Sequence, residues 1–165
     1  MKLDQLIKNI KNSKVTAESK QSFCWSEEQD SSSEIHYENK NHELGIHFQV
    51  EKIPFGSLQV IDPRIVKIAP RCSNEKHRHA HESLFVVISG EGKMEIGQNV
   101  TTLSRGDIAY VPRWVVHQTI NRSDHEQLVM LAITDFGLTS AALGDYDAKT
   151  RLKCGGTQAF DTTNP

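Results

Sequence analysis

Residues 77–90 read HRHAHESLFVVISG, and residues 106–121 read GDIAYVPRWVVHQTIN. Side chains on a strand alternate between faces, so His77 and His79 project to the same side. His117, at the far end of the second stretch, can meet them from a neighbouring strand. Three neutral imidazoles on one face would hold a metal ion and leave other coordination positions open, as metal-dependent chemistry on a small molecule requires. The spacing therefore predicts a metal site built from His77, His79 and His117.

The sequence around these stretches predicts an all-β barrel. Short β-type runs follow one another at Ile46–Val50, Leu58–Ile61, Ile65–Ile68, Leu84–Ile88, Lys93–Ile96, Ile108–Val111, Val115–Ile120 and Leu128–Thr134. Turn signals such as Pro54-Phe55-Gly56, Asp62-Pro63, Gly90-Glu91-Gly92 and Ser104–Asp107 separate several of them. Many short strands without long intervening helices argue for an antiparallel barrel or jelly roll. Ahead of them, Leu3, Leu6, Ile7 and Ile10 recur at helical spacing and predict a short amphipathic helix that caps the barrel or forms a dimer contact. Glu18 to Asn41 is polar and reads as a loop or arm, with Cys24-Trp25 as a docking point. Gly137 and Gly144 bracket a closing helical turn at Leu138–Leu143. The expected division is a helix and polar arm over 1–41, the barrel over 42–144 and a polar tail over 145–165.

At 165 residues the chain is one domain with one sizeable core. A net charge of −2 gives no argument for nucleic acid or an acidic membrane surface, so the partners should be small molecules or a second copy of the chain. Three widely spaced cysteines make no disulfide framework, and the sequence shows neither a signal-peptide run nor a membrane-spanning stretch. The expected location is the cytoplasm.

The two opening stretches resemble the paired motifs of the cupin superfamily, G-x5-H-x-H-x3,4-E-x6-G and G-x5-P-x-G-x2-H-x3-N. The first keeps His77, His79 and Gly90, with Arg71 at the opening glycine and Ser83 at the glutamate. The second keeps Gly106, Pro112, His117 and Asn121, with Trp114 at the inner glycine. The resemblance implies a cupin-type antiparallel jelly-roll barrel. His77-Arg78-His79 with Leu84 and Gly90, followed by Pro112-x-Trp114-x-x-His117, is further similar to the gentisate dioxygenase group. Leu131–Gly144 loosely resembles the segment after that group's last ligand. Those ring-cleaving enzymes hold iron(II) with three histidines and no carboxylate, which turns the absent motif glutamate into a positive sign. They carry two cupin units in a longer chain, whereas one motif pair occurs here.

This resemblance implies iron(II) at His77, His79 and His117, dioxygen as co-substrate and a small anionic chelating substrate such as a hydroxylated aromatic acid. Zinc, nickel or manganese with non-oxidative isomerase, epimerase or hydrolase chemistry is the alternative, and a non-enzymatic metabolite-binding cupin is another. A homodimer is the expected assembly. His81 is read as a proton-transfer base, a fourth ligand or a solvent-facing histidine, and Gln118 as a second proton-transfer candidate. Ser83 shares the ligand parity and either offers its hydroxyl to the pocket or merely packs. Glu82 has the opposite parity. Trp114 is a pocket wall or an ordinary core aromatic, Arg78 and Arg113 are surface charges, and Arg64 or Lys67 would meet a substrate carboxylate. Cys72 is a buried free thiol or, with Tyr110, a crosslink of the kind found in thiol dioxygenases.

Overall fold

The computed structural model describes residues 1–12, 26, 34–55 and 58–144, together with the backbone of 151–153. In chain order the elements are α1 (Leu3–Asn12), β1 (Glu34–Asn41), β2 (Ile46–Lys52), β3 (Asp62–Ile68), β4 (His77–His79) and β5 (Ser83–Ser89). They continue with β6 (Gly92–Ile96), β7 (Asn99–Leu103), β8 (Ile108–Val111), β9 (His117–Asn121), β10 (Leu128–Thr134), α2 (Phe136–Leu143) and β11 (Arg151–Lys153). Two sheets form, in the orders β1-β2-β3-β10-β5-β8 and β11-β4-β9-β6-β7. Every strand pairing is antiparallel, which makes the architecture the expected jelly-roll barrel.

The interior is built by alternation. Phe48, Val66, Ile68, Phe85, Val87, Leu128 and Met130 from the larger sheet meet Met94 and Leu103 from the smaller one in one apolar cluster. Strands β3 and β10 also bury residues on their outer face, where Ile65 and Val129 pack with Ile53 and, at the margin, Phe55 and Leu131. Burial on both faces explains why Leu128–Thr134 reads as a continuous apolar run instead of alternating. Helix α1 buries Leu6 and leaves Leu3, Ile7 and Ile10 largely exposed; it packs against α2.

Several expectations need correction. Glu34–Asn41 is a strand, where a loop was expected: it pairs with β2 along the sheet edge, and its outward positions face water, which is why it reads as polar. Asn99–Leu103 is a strand that its exposed Asn-Val-Thr-Thr composition concealed. It forms a hairpin with β6 through Gly97-Gln98, and Gly97 takes a φ of 57°. Such two-residue hairpin turns favour a residue that tolerates positive φ. Leu58–Ile61 is not a strand; it is a bent segment held against α2 by the Gly137 amide, which donates to the Val60 carbonyl at 3.1 Å. The tail beyond residue 144 contributes β11, paired with β4. Cys24-Trp25 lies outside the described residues.

Among the described residues, the two non-glycine residues with positive φ are Arg71 at 56° and Trp114 at 61°. These are the two of the four motif glycine positions that this chain fills with another residue. The barrel thus keeps the left-handed turns and places side chains in them, a conformation that costs an L-residue about 1–2 kcal/mol. Gly90, at φ 79°, has no such latitude, because a Cβ there would lie 2.4 Å from the Gln127 carbonyl oxygen. Asn121 closes the second motif from a fully buried position. Its amide donates to the carbonyls of Ile68 (2.9 Å) and Glu126 (2.7 Å), and its Oδ1 accepts from the Ser123 amide (2.8 Å).

Candidate metal centre

Strand β4 presents His77 and His79 inward, and His117 on β9 stands directly opposite His77 in the ladder. All three are buried, and one potential ligand atom from each lies within 4.8 Å of the others. Ring centroids are 4.3 Å apart for His77–His117, 4.7 Å for His79–His117 and 5.4 Å for His77–His79.

Each ring is oriented by its own backbone. Nδ1 of His77 donates to the Glu75 carbonyl at 2.7 Å, that of His79 to the His81 carbonyl at 2.8 Å and that of His117 to the Val115 carbonyl at 2.9 Å. A carbonyl can only accept, so the proton sits on Nδ1 in all three rings and Nε2 carries the lone pair. Metal-ligating histidines are normally held this way, with the second nitrogen donating to a carbonyl or carboxylate. The residues present fit a divalent metal held by three neutral imidazoles. Among the described residues no carboxylate joins this cluster. Glu82 turns away: its carboxylate accepts from the Tyr110 hydroxyl at 3.0 Å and lies 3.4 Å from Arg113.

A small cavity of ≈ 70 Å³ lies beside the histidines, walled by His77, His79, His81, Ser83, Phe85 and Arg64 among others. His81 is 5% exposed and stacks on His79 with centroids 3.6 Å apart and planes 9° from parallel, which rules out the solvent-facing reading. It is also outside the ligand cluster. Ser83 is 1% exposed, and its Oγ is buried with no hydrogen-bond partner among the described residues. Such a group is costly to bury unless something in the pocket pairs with it.

The structure separates the two cationic candidates. Arg64 lines the histidine cavity, with Nε donating to Asp62 Oδ2 at 2.8 Å and Nη2 bonded to the same oxygen. Lys67 has the opposite parity and pairs with Glu51 at 2.9 Å. Gln118 alternates away from His117 and donates to Ser73 Oγ (3.1 Å) and the Asn74 carbonyl (2.9 Å), so it braces the loop before β4 and does not line the cavity. Trp114 is 42% exposed and likewise absent from the wall; its contribution is its amide, which donates to the His79 carbonyl at 2.8 Å. Cys72 packs against the interior cluster, whereas Tyr110 is half-exposed and bonded to Glu82, so the two do not form a crosslink pair.

Sequence reading missed the clamp behind the site. Arg113, expected as a surface charge, donates to the Ala80 carbonyl at 2.8 Å and forms a forked pair with Asp135. Asp135 Oδ1 also accepts from the Glu82 amide at 2.9 Å. The turn from His79 to Glu82 is thereby tied to the start of α2. Hydrogen bonding to Asp135 holds the Arg113 guanidinium above its ordinary pKa, and the Glu82 hydrogen bond pushes the Tyr110 phenol up. Asp135 stands at the α2 N-terminus without capping it by its side chain, because that carboxylate is committed to the clamp. Only its place before a helix was readable from sequence.

A two-sheet antiparallel barrel with three buried imidazoles at its inner face defines the class of protein. Residues 64–134, a little under half of the chain, match the family described as Cupin domain. A cupin-2 domain structure from Rhodospirillum rubrum superposes with a TM-score of 0.57 at 17% identity, covering 69% of this chain and 73% of that one. A salicylate 1,2-dioxygenase variant from Pseudoaminobacter salicylatoxidans also gives 0.57, at 16% identity over 66% of this chain and 31% of that one. At these identities the likeness is one of fold. In sequence, a 1,2-dioxygenase of 1-hydroxy-2-naphthoate from Nocardioides sp. (strain KP7) is 27% identical over 79 residues, 48% of this chain. That match spans only 20% of the relative's length.

Proposed function

We propose that this cupin is a non-haem iron(II) dioxygenase acting on a small anionic chelating substrate, such as a hydroxylated aromatic acid. The observation that carries the reading is the shared tautomer of His77, His79 and His117. Three buried rings each donate Nδ1–H to a backbone carbonyl and turn the other nitrogen toward a common point. The ring-cleaving dioxygenases among the relatives support the choice of iron over zinc, nickel or manganese. Bound there, iron(II) would supply dioxygen activation and a positive charge that no carboxylate among the described residues of the cluster offsets, which favours an anionic bidentate ligand.

The remaining chemistry belongs to the chain. Ser83 Oγ offers a hydrogen bond to a substrate oxygen beside the ligands. Arg64, already forked onto Asp62, keeps Nη1 for a substrate carboxylate. His81, buried and stacked on His79, is the group placed to take or return a proton at the cavity wall. The phenyl of Phe85 and the apolar interior beyond it exclude bulk water. We place the enzyme in the cytoplasm as a homodimer.

Elemental analysis of protein purified without air is the decisive test. Near-stoichiometric iron, lost in His77→Ala, with oxygen uptake on hydroxylated aromatic acids is the expected result. Zinc or nickel at that level without oxygen uptake would replace the reading with non-oxidative chemistry. Ligand binding without any metal would leave a metabolite-binding module.

A further inference from the structure

A second, larger cavity of ≈ 510 Å³ shares the Arg64 side chain with the histidine cavity. Size divides their roles. One water needs about 10–15 Å³ of such space, so ≈ 70 Å³ receives only a few heavy atoms. Cavities of about 300–1,000 Å³ hold ring-sized organic ligands. The inner cavity therefore accommodates the chelating groups with the ring carbons that bear them, and any further ring extends toward the outer one.

The partition between them is built. The Arg64 guanidinium lies over the Phe136 ring, 5.2 Å from its centroid, and the opposite side of the partition is marked by an edge contact of Phe136 with His81 at 6.1 Å. The outer wall is the bent segment 58–61, carrying Leu58 and Ile61. It is drawn so close to α2 that a Cβ on Gly137 would lie 2.0 Å from the Gln59 carbonyl oxygen. Side-chain Oε1 of Gln59 is buried there with no hydrogen-bond partner among the described residues. Lys52 and Arg64 supply two cations against the single carboxylate of Asp62. Apolar walls, an excess of positive charge and an unmatched amide describe a site for an amphipathic aromatic anion.

We propose that this outer cavity is a ring-binding subsite that selects hydroxyaryl acids with a second fused ring over single-ring ones, the chelating head passing Arg64 into the histidine cavity. The proposal rests on the dioxygenase reading above and adds a substrate class to it. The second ring buries further carbon against Leu58, Ile61 and Phe136, and removing that area from water favours the larger acid by about tenfold or more.

The test is equilibrium binding to the full chain, zinc-loaded and held without air so that no turnover intervenes. Two probes are used, 1-hydroxy-2-naphthoate followed by its fluorescence and salicylate by competition against it. The naphthoate is expected to bind about tenfold or more tightly than salicylate. Ile61→Trp and Leu58→Trp, both at partly exposed positions that tolerate substitution, are each expected to erase that preference while leaving zinc content unchanged. Equal affinity for the two acids, or a preference that survives in both filled variants, overturns the subsite and leaves the dioxygenase reading standing. Absence of binding by either acid to fully zinc-loaded protein overturns both.

Discussion

Strands β4 and β9 carry the three histidines but are secured by different means. Strand β9 is five residues long and pairs with β6 at every position from Gly92↔Asn121 to Ile96↔His117. Its end is fastened by the buried Asn121 amide. Strand β4 has three residues, pairs with β9 only at His77↔His117, and has β11 on its other side. What orients His79 is largely non-ladder bonding: the Trp114 amide, the His81 carbonyl, and the Arg113–Asp135 clamp on the following turn. Regular sheet places one ligand, and a side-chain network places another. Damage to the first should therefore appear as lost stability, and damage to the second as lost metal affinity.

The sharpest way to break the comparison is at Asn121. Asn121→Ala strips a partner from the buried Ile68 carbonyl and from the part-buried Glu126 carbonyl and Ser123 amide, and should cost about 3 kcal/mol of unfolding free energy. Urea denaturation measures this, and metal affinity of the folded fraction should change little. Asp135→Ala is the counterpart on the β4 side. Freed of the clamp, the His79–Glu82 turn should lose about 10–100-fold in metal affinity, with a stability loss of only about 1 kcal/mol, read by competitive metal titration and by thermal unfolding. If both variants lost stability and metal in the same proportion, the distinction between the strands would collapse.

Smaller effects sharpen it. Trp114→Gly removes the strain of a φ of 61° and keeps the backbone amide that holds His79, so it should stabilise the fold by up to about 1 kcal/mol without reducing metal affinity. On the β9 side, Glu95 of β6 is held below its ordinary pKa chiefly by its hydrogen bond to Lys93, with Lys76 adding to it. A lowered folded-state pKa means the contribution is present above the ordinary carboxylate range and is lost as pH falls through the folded value. Being partly solvated, it should be under about 0.5 kcal/mol, and Glu95→Gln should flatten that part of a stability–pH curve.

Legibility followed a simple physical rule. Strands whose alternating faces meet the interior, such as Ile65–Ile68 and Ile108–Val111, announced themselves by apolar pattern. Strands β1 and β7 did not, because their outward residues face water and edge pairing demands no apolar signature. The parity of His77 and His79 survived folding intact, since a period of two is a local property of extended backbone. Gln118 and Trp114 were misjudged for the opposite reason. The Asn74 carbonyl that holds Gln118 and the His79 carbonyl that holds the Trp114 amide are 44 and 35 residues away in the chain.

By itself the sequence determined the barrel class, the two motif turns and the three histidines on one inner face, because local spacing and side-chain periodicity dictate them. Tertiary structure alone decided that Arg64 faces the cavity and Lys67 does not, that Glu82 and Arg113 serve a clamp with Asp135, and that a larger chamber lies beyond Arg64. Those outcomes depend on which distant groups arrive beside each side chain, and hydrogen bonds and burial are settled only when the sheets have closed.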